Sequence, residues 1–117
     1  METFLARQQR FNRQTADNWE RARSHREICT DLLARLANES GKAASEPCRL
    51  TLLGAGTCND IDLARLQPLF GEISLADFDG EALTTGLARQ GLSADPSIRP
   101  LVVDVSGCGS EIDQLTP

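Results

Sequence analysis

This chain of 117 residues lacks most of the short patterns that identify a function directly. Its four cysteines (Cys29, Cys48, Cys58 and Cys108) form no closely spaced pair, and it has a single histidine, so the sequence excludes a zinc site. No Gly-Lys-Ser/Thr run is present, which excludes a phosphate-binding P-loop. The sequence therefore predicts a protein without a bound metal.

Long apolar runs are also missing. No segment reaches the length that spans a membrane, and residues 1–10 are polar, unlike a secretory signal peptide. The length is that of a single domain, and no internal repeat or low-complexity tract is visible. With thiols expected to be reduced and mostly buried, these features predict a cytoplasmic protein.

The charge is unevenly distributed. The net charge is −5, which argues against a general affinity for nucleic acid or for an anionic membrane. Residues 1–49 carry a net charge of +2 and residues 50–117 a net charge of −7. Because the charges of the first part alternate in sign, they predict a solvated helix face rather than a binding surface for an anionic partner.

Residues 1–46 are predicted to form a helical segment. A short helix within residues 1–12 is followed by a longer one, which begins at an Asp17–Glu20 capping box and ends at Gly41. Residues 42–47 are predicted to be a linker. Trp19, His25 and Arg26 are either ligand contacts or packing and surface residues, and the second interpretation is preferred. The apolar face of the longer helix is predicted to comprise Trp19, Ala22, Cys29, Leu32, Leu33 and Leu36.

Residues 47–117 alternate between strand and helix patterns, which predicts a parallel sheet with right-handed crossovers. We expect an incomplete Rossmann-like three-layer sandwich, with three strands in the order 3-2-1, preceded by the helices of residues 1–46. The first strand, an apolar run, is expected to be buried on both faces. Strands are predicted near residues 50–53, 72–77 and 101–105, and helices over residues 59–67, 80–90 (capped by Asp79 and closed by Gly91) and 111–115.

Three chemically informative positions follow these strands. Gly54 and Gly56 allow a tight turn after the first strand. Asp77 follows Gly54 by 23 residues at the end of the second strand, which is close to the spacing of an acid that binds nucleotide ribose hydroxyls. Asp104 ends the third strand. The three ends meet at one rim of the sheet, where ligands bind in open α/β folds.

Purely structural interpretations apply to the same residues. In these interpretations, Gly54 and Gly56 only allow a tight turn and bind no ligand, and Asp104 caps the loop that follows it. Asp79 is interpreted as a helix cap, and Cys58 as a small packing residue rather than a reactive thiol.

The residues after the glycines favour a cationic ligand. The third glycine of a dinucleotide fingerprint is replaced by Asn59, and Asp60 and Asp62 follow it, placing two carboxylates where a pyrophosphate would lie. S-adenosylmethionine carries a sulfonium and an ammonium group and no phosphate. A dinucleotide-binding module of an NAD or FAD oxidoreductase is the alternative.

The segments LTLLGAGTCND, LADFDGEAL and LVVDVSG resemble the first three cofactor motifs of class I S-adenosylmethionine-dependent methyltransferases, in order and spacing, over residues 50–107. The family often has an acid where this chain has Leu52, and a motif glycine where it has Cys58. The resemblance implies that Gly54, Ala55 and Gly56 pass beneath the methionine part of the cofactor, that Asp77 binds the ribose hydroxyls, and that Phe78 lies against the adenine. It also implies that Asp104 accepts a hydrogen bond from the adenine amino group, with the Val105 backbone beside it.

The first strand is expected to have a free edge, which is a route to self-association. The sequence is therefore interpreted as the amino-terminal, cofactor-binding part of a methyltransferase, or as a domain that needs a partner. No catalytic residue or methyl acceptor is assigned, and no turnover is expected from these residues alone. A non-catalytic truncated fragment is a further alternative.

Overall fold

The computed structural model describes residues 2–41, 47–107 and 109–115, without the side chains of residues 41, 112 and 115. Most of the predicted linker and Cys108 lie outside the described residues. The helices are α1 (Phe4–Thr15), α2 (Arg23–Gly41), α3 (Leu63–Leu66), α4 (Gly80–Arg89) and α5 (Gly109–Leu115), with a 3₁₀ helix at Gln67–Leu69; the strands are β1 (Arg49–Leu53), β2 (Glu72–Asp77) and β3 (Ile98–Val102). No helix of the described chain is long and apolar enough to cross a membrane.

The three strands form one parallel sheet in the order β1-β2-β3. Leu52 pairs with Leu75, which in turn pairs with Pro100. The predicted mixed α/β class with a parallel sheet is therefore confirmed. Within the described residues β2 is the central strand and β1 and β3 are the edges.

The hydrophobic core lies on one face of the sheet. Alternate residues of the strands point into it, as the two-residue period of a strand requires. They pack against side chains of α2, α3 and α4, and each leucine fully removed from water contributes about 1.5–3 kcal/mol. The core includes Leu50 and Leu52 of β1, Ile73 and Leu75 of β2, Ile98 of β3, and Leu63, Leu66, Phe70, Leu83 and Leu87.

The opposite face of the sheet is largely open, which corrects two predictions. Leu53 is 71% exposed and Leu101 is 39% exposed, and Thr51 and Arg99 are also exposed. The described chain therefore forms two layers rather than three, and β1 is not buried on both faces. The physical reason is topological: two successive right-handed crossovers that step in the same direction place α3 and α4 on the same face.

The third strand begins earlier than predicted. The sequence predicts it at residues 101–105, after Pro100, but β3 runs from Ile98 to Val102 and includes that proline. An edge strand tolerates proline because one side of its backbone needs no hydrogen bond. Asp104 consequently lies two residues beyond the strand rather than within it.

The helix after the glycine turn is much shorter than the predicted one. It begins at Leu63 instead of residue 59, and the Asp62 side chain caps it by accepting a hydrogen bond from the Arg65 amide at 3.3 Å. Gln90 holds the preceding loop open: its side chain donates to the carbonyls of Cys58 (3.3 Å) and Ile61 (3.0 Å) and accepts from the Leu63 amide (2.8 Å). These backbone groups are thus satisfied without a helix.

The amino-terminal helices also differ from prediction. Residues 16–22 form turns, so the expected capping box at Asp17 is wrong and α2 begins at Arg23. The buried positions of α2 are Arg26, Thr30 and Ala37, whereas Leu32 is 52% exposed and Leu36 is 48% exposed. Leu33 packs against the core as predicted, but the exposure of Leu32 and Leu36 shows that the rest of the face is rotated from the predicted one. Helix α1 contacts α4 and α5, and α2 contacts α3.

The predictions for β2 and α4 are confirmed. β2 covers residues 72–77, and Asp79 caps α4 by accepting a hydrogen bond from the Ala82 amide at 3.3 Å. Gly91 ends the helix in the left-handed region, at φ +71°.

Candidate functional site

The glycine turn is tied to the end of the central strand. The amides of Gly54 and Ala55 both donate to the Ala76 carbonyl, at 2.8 and 3.2 Å. Gly54 and Gly56 have φ angles of +72° and +55°, which a residue with a side chain adopts only at a cost. Glycine at these positions lets the chain leave β1 and turn across the rim of the sheet.

Asp77 joins the end of β2 to that turn. Its carboxylate accepts from the Gly56 amide at 2.8 Å and from the Asp79 amide at 2.9 Å, and the residue is only 7% exposed. A carboxylate has about four acceptor positions, so two bonds leave capacity for a ligand. Asp77 is therefore both an anchor for the loop and a lining residue of the rim.

Helix α4 approaches the glycine loop closely. A Cβ at Gly86 would lie 2.5 Å from the Thr57 carbonyl oxygen, so only glycine permits this contact. The buried carboxylate of Asp79 also accepts from the Asn12 side chain at 2.9 Å, which ties α1 to the start of α4. These contacts hold α1, α4 and the loop together around the rim.

Cys58 is a packing residue, as predicted. It is 3% exposed, and burial together with the negative charges of Asp77 and Asp60 raises the pKa of its thiol to about 12. A thiol that remains protonated at neutral pH is a poor nucleophile. Cys58 also has φ +56°, a left-handed conformation, at the position where the methyltransferase motif has a glycine.

Asp104 organises the loop between β3 and α5. Its carboxylate accepts from the Ser106 hydroxyl at 2.5 Å and amide at 3.1 Å, and from the Gly107 and Gly109 amides at 3.2 and 2.7 Å. These hydrogen bonds, the Ser106 hydroxyl first, lower the pKa of the carboxyl group. The interpretation of Asp104 as a loop cap is therefore confirmed, and the residue also lines a cavity.

Two adjoining cavities open at the rim and share Gln8, Gly54 and Asp77. The larger, of about 520 Å³, lies beneath the glycine loop, within the size range of small-molecule sites. Its lining comprises Gln8, Phe11, Asn12, Thr15, Asn18, Arg21, Ala22, His25, residues 54–60 and Asp77. The smaller, of about 220 Å³, is lined by Phe4, Gln8, Gly54, Asp77, Phe78, Asp104, Val105 and Ser106.

All of the residues predicted to bind a cofactor line one of these cavities. Gly54, Asp77, Phe78, Asp104 and Val105 line the smaller one, and Ala55 and Gly56 line the larger one. The structure thus brings together residues separated by up to 51 positions in the chain.

Sequence reasoning missed the contribution of α1. Phe4, Gln8, Phe11 and Thr15 recur at helical spacing, and this periodicity was the available signal for a face turned towards the rim. The Phe4 ring stacks on Phe78, with ring centroids 5.8 Å apart and an interplanar angle of 27°. The helix therefore forms one wall of both cavities.

Trp19 and Arg26 pack against each other, in agreement with the preferred interpretation of them as packing residues. Arg26 is 7% exposed, lies 3.5 Å from the centre of the Trp19 ring, and donates to the carbonyls of Trp19 (2.7 Å) and Asn59 (3.2 Å). His25 instead lines the larger cavity, where its Nε2 lies 3.5 Å from an Asp60 carboxylate oxygen.

No family model, no curated protein and no solved structure matches this chain. Among the described side chains, no group of three or more histidine, cysteine or acidic residues is arranged to hold a metal ion. The site itself is therefore the basis for an inference about function.

Proposed function

We propose that this chain is the S-adenosylmethionine-binding part of a methyltransferase, with its three strands forming the 3-2-1 half of a Rossmann-like sheet and its place of action in the cytoplasm. One observation carries the proposal. Residues from three strand ends (Gly54, Asp77, Phe78, Asp104 and Val105) line one cavity, and Gly54 and Asp77 also line a larger one at the glycine loop. The described cysteines are free thiols, which suits a reducing compartment.

The chemistry of the smaller cavity suits an adenosine group. Asp77 has acceptor capacity for ribose hydroxyls, and Phe78 offers an aromatic surface to the adenine. Phe4 already covers one face of Phe78, so the adenine would use the remaining face or displace Phe4. Asp104 and Val105 line the same cavity. Because the Asp104 carboxylate already accepts four hydrogen bonds from its own loop, an adenine amino group would have to share one of its oxygens.

The surroundings of the larger cavity favour a sulfonium over a pyrophosphate. Dinucleotide sites place phosphates at the amino terminus of a helix. Here α3 is four residues long and begins only at Leu63, and its amino terminus is already capped by the Asp62 side chain. Asp60 and Asp77 give the cavity lining two negative charges against the one positive charge of Arg21, an excess that favours a ligand with a cationic centre over a pyrophosphate.

The cofactor would supply the activated methyl group. The residues of this chain would bind and orient it, since methyl transfer depends mainly on the alignment of donor and acceptor. The rigid connections between Gly56, Asp77 and Asp79 suit such a positioning role. The methyl acceptor is left unassigned.

Calorimetric titration of the purified chain with S-adenosylhomocysteine and, in parallel, with NAD tests the proposal. We expect a heat of binding with S-adenosylhomocysteine and none with NAD. The Asp77→Ala variant should lose binding, whereas Asp95→Ala is the matched control, because Asp95 also accepts loop hydrogen bonds but lines neither cavity. Binding of NAD alone, or silence from both ligands in a sample folded by circular dichroism, would contradict the proposal.

A further inference from the structure

Among the described residues, Arg21 is a cation of the larger cavity that lacks a carboxylate partner. Its side chain is exposed at the lining, and it makes no salt bridge to a carboxylate of the described residues. The other charged groups of the lining are already engaged: Asp60 lies 3.5 Å from His25 Nε2, and Asp77 accepts two backbone amides. Within the part of the chain that the structure describes, the lining of this cavity therefore holds one guanidinium without a carboxylate partner, together with two carboxylates.

That arrangement of charges matches a zwitterion. An α-amino acid group carries a carboxylate and an ammonium on adjacent positions, and a guanidinium binds a carboxylate through two parallel hydrogen bonds. Asp60 and Asp77 provide negative potential for the ammonium. The other titratable groups of the lining are His25, whose Nε2 lies 3.5 Å from an Asp60 carboxylate oxygen, and the buried thiol of Cys58.

The connection to the smaller cavity decides the orientation of a ligand. Gln8, Gly54 and Asp77 line both cavities, so a ligand whose nucleoside lies against Phe78 extends past Gly54 into the larger space. Arg21 lines only that larger space. A carboxylate at the end of the ligand opposite to its base would therefore meet Arg21.

We infer that Arg21 binds the amino-acid carboxylate of a nucleoside-linked amino acid and sets the selectivity of the site for ligands that retain this group. The inference rests on the proposed function, and it names a residue outside the three sequence motifs. Arg23 provides a matched control, since it is also exposed, pairs with Glu27 at 3.7 Å, and lines neither cavity.

The test compares S-adenosylhomocysteine with 5′-methylthioadenosine, which has the same nucleoside and no amino-acid group. Dissociation constants are measured by calorimetry for the wild type, Arg21→Gln, Arg21→Lys and Arg23→Gln. We expect Arg21→Gln to weaken S-adenosylhomocysteine binding by about tenfold to a hundredfold, as the loss of a charged hydrogen-bonded pair does. Methylthioadenosine binding should be unchanged, Arg21→Lys should fall between, and Arg23→Gln should resemble the wild type.

The outcomes separate this inference from the proposed function. If both ligands bind the wild type but Arg21→Gln weakens them equally or not at all, the role of Arg21 is wrong and the nucleoside site stands. If neither ligand binds and NAD does, both proposals fail, and a loss of NAD binding in Arg21→Gln would assign Arg21 to a phosphate instead.

Discussion

An alanine at Gly54 would separate ligand binding from folding. Gly54 has φ +72°, lines both cavities, and has no other protein atom within 4 Å of the position that its Cβ would take. Gly91 has φ +71° and equally open surroundings, but it lies beyond the end of α4 and lines neither cavity. The two glycines are therefore a matched pair for the same substitution.

The expected effect on folding is small and equal at the two positions. An alanine in the left-handed region costs about 1–2 kcal/mol, and the reduced entropy of the unfolded chain offsets about 0.4–1 kcal/mol of this. Each variant should thus lose roughly 1 kcal/mol of unfolding free energy, a decrease of about 4 °C in Tm for a chain of this size. Neither variant should be unfolded at room temperature.

The expected effect on binding differs between them. If the proposed function is right, the added methyl group at Gly54 occupies space that the ligand needs, and overpacking of this kind costs about 1–3 kcal/mol. The dissociation constant for S-adenosylhomocysteine should rise roughly 5- to 150-fold in Gly54→Ala and stay at the wild-type value in Gly91→Ala.

Thermal denaturation followed by circular dichroism and calorimetric titration measure the two effects on the same samples. The reasoning is refuted if Gly54→Ala binds the ligand as tightly as the wild type, because the ligand then does not pass over Gly54. Equal weakening in Gly91→Ala would instead show that the loss comes from backbone strain and not from the site.

Three other side chains have properties that can be measured directly. Asp104→Asn should lower the urea midpoint at pH 7, since the loop hydrogen bonds favour the charged carboxylate. Because the pKa of Asp104 is lowered in the folded state, this stabilisation is present above the ordinary Asp pKa of ~4 and is lost as the pH falls below it. An equal decrease of the urea midpoint, relative to the wild type, at pH 7 and at pH 3 would contradict the assignment. Cys58 should resist alkylation by iodoacetamide in the native protein at pH 8, whereas the half-buried Cys29 and Cys48 should react. Peptide mass spectrometry of samples labelled before and after unfolding in urea measures this difference. Rapid labelling of Cys58 in the native protein would exclude a buried, protonated thiol. We also expect Leu53→Lys to reduce self-association in sedimentation velocity without lowering Tm, because Leu53 is 71% exposed at the β1 edge, and an unchanged association state would remove that edge from the interface.

The sequence by itself determined the features that depend on local chemistry. The position of β2, the Asp79 cap and the terminating Gly91 follow from local side-chain pattern and backbone conformation, and all were found as predicted. The convergence of Gly54 and Asp77 also follows, because parallel strands bring their carboxyl ends to one rim.

Tertiary contacts decided the rest. The loop before α3 stays open because Gln90, distant in sequence, satisfies its backbone groups, and no local pattern encodes that contact. The periodicity of α2 shows that it is amphipathic, but which face meets the core depends on where the sheet lies, so Leu32 is exposed and Thr30 is buried. Likewise, α1 becomes a wall of the cavities through contacts with residues distant in sequence: Asn12 donates to the Asp79 cap of α4, 67 positions away, and Phe4 stacks on Phe78.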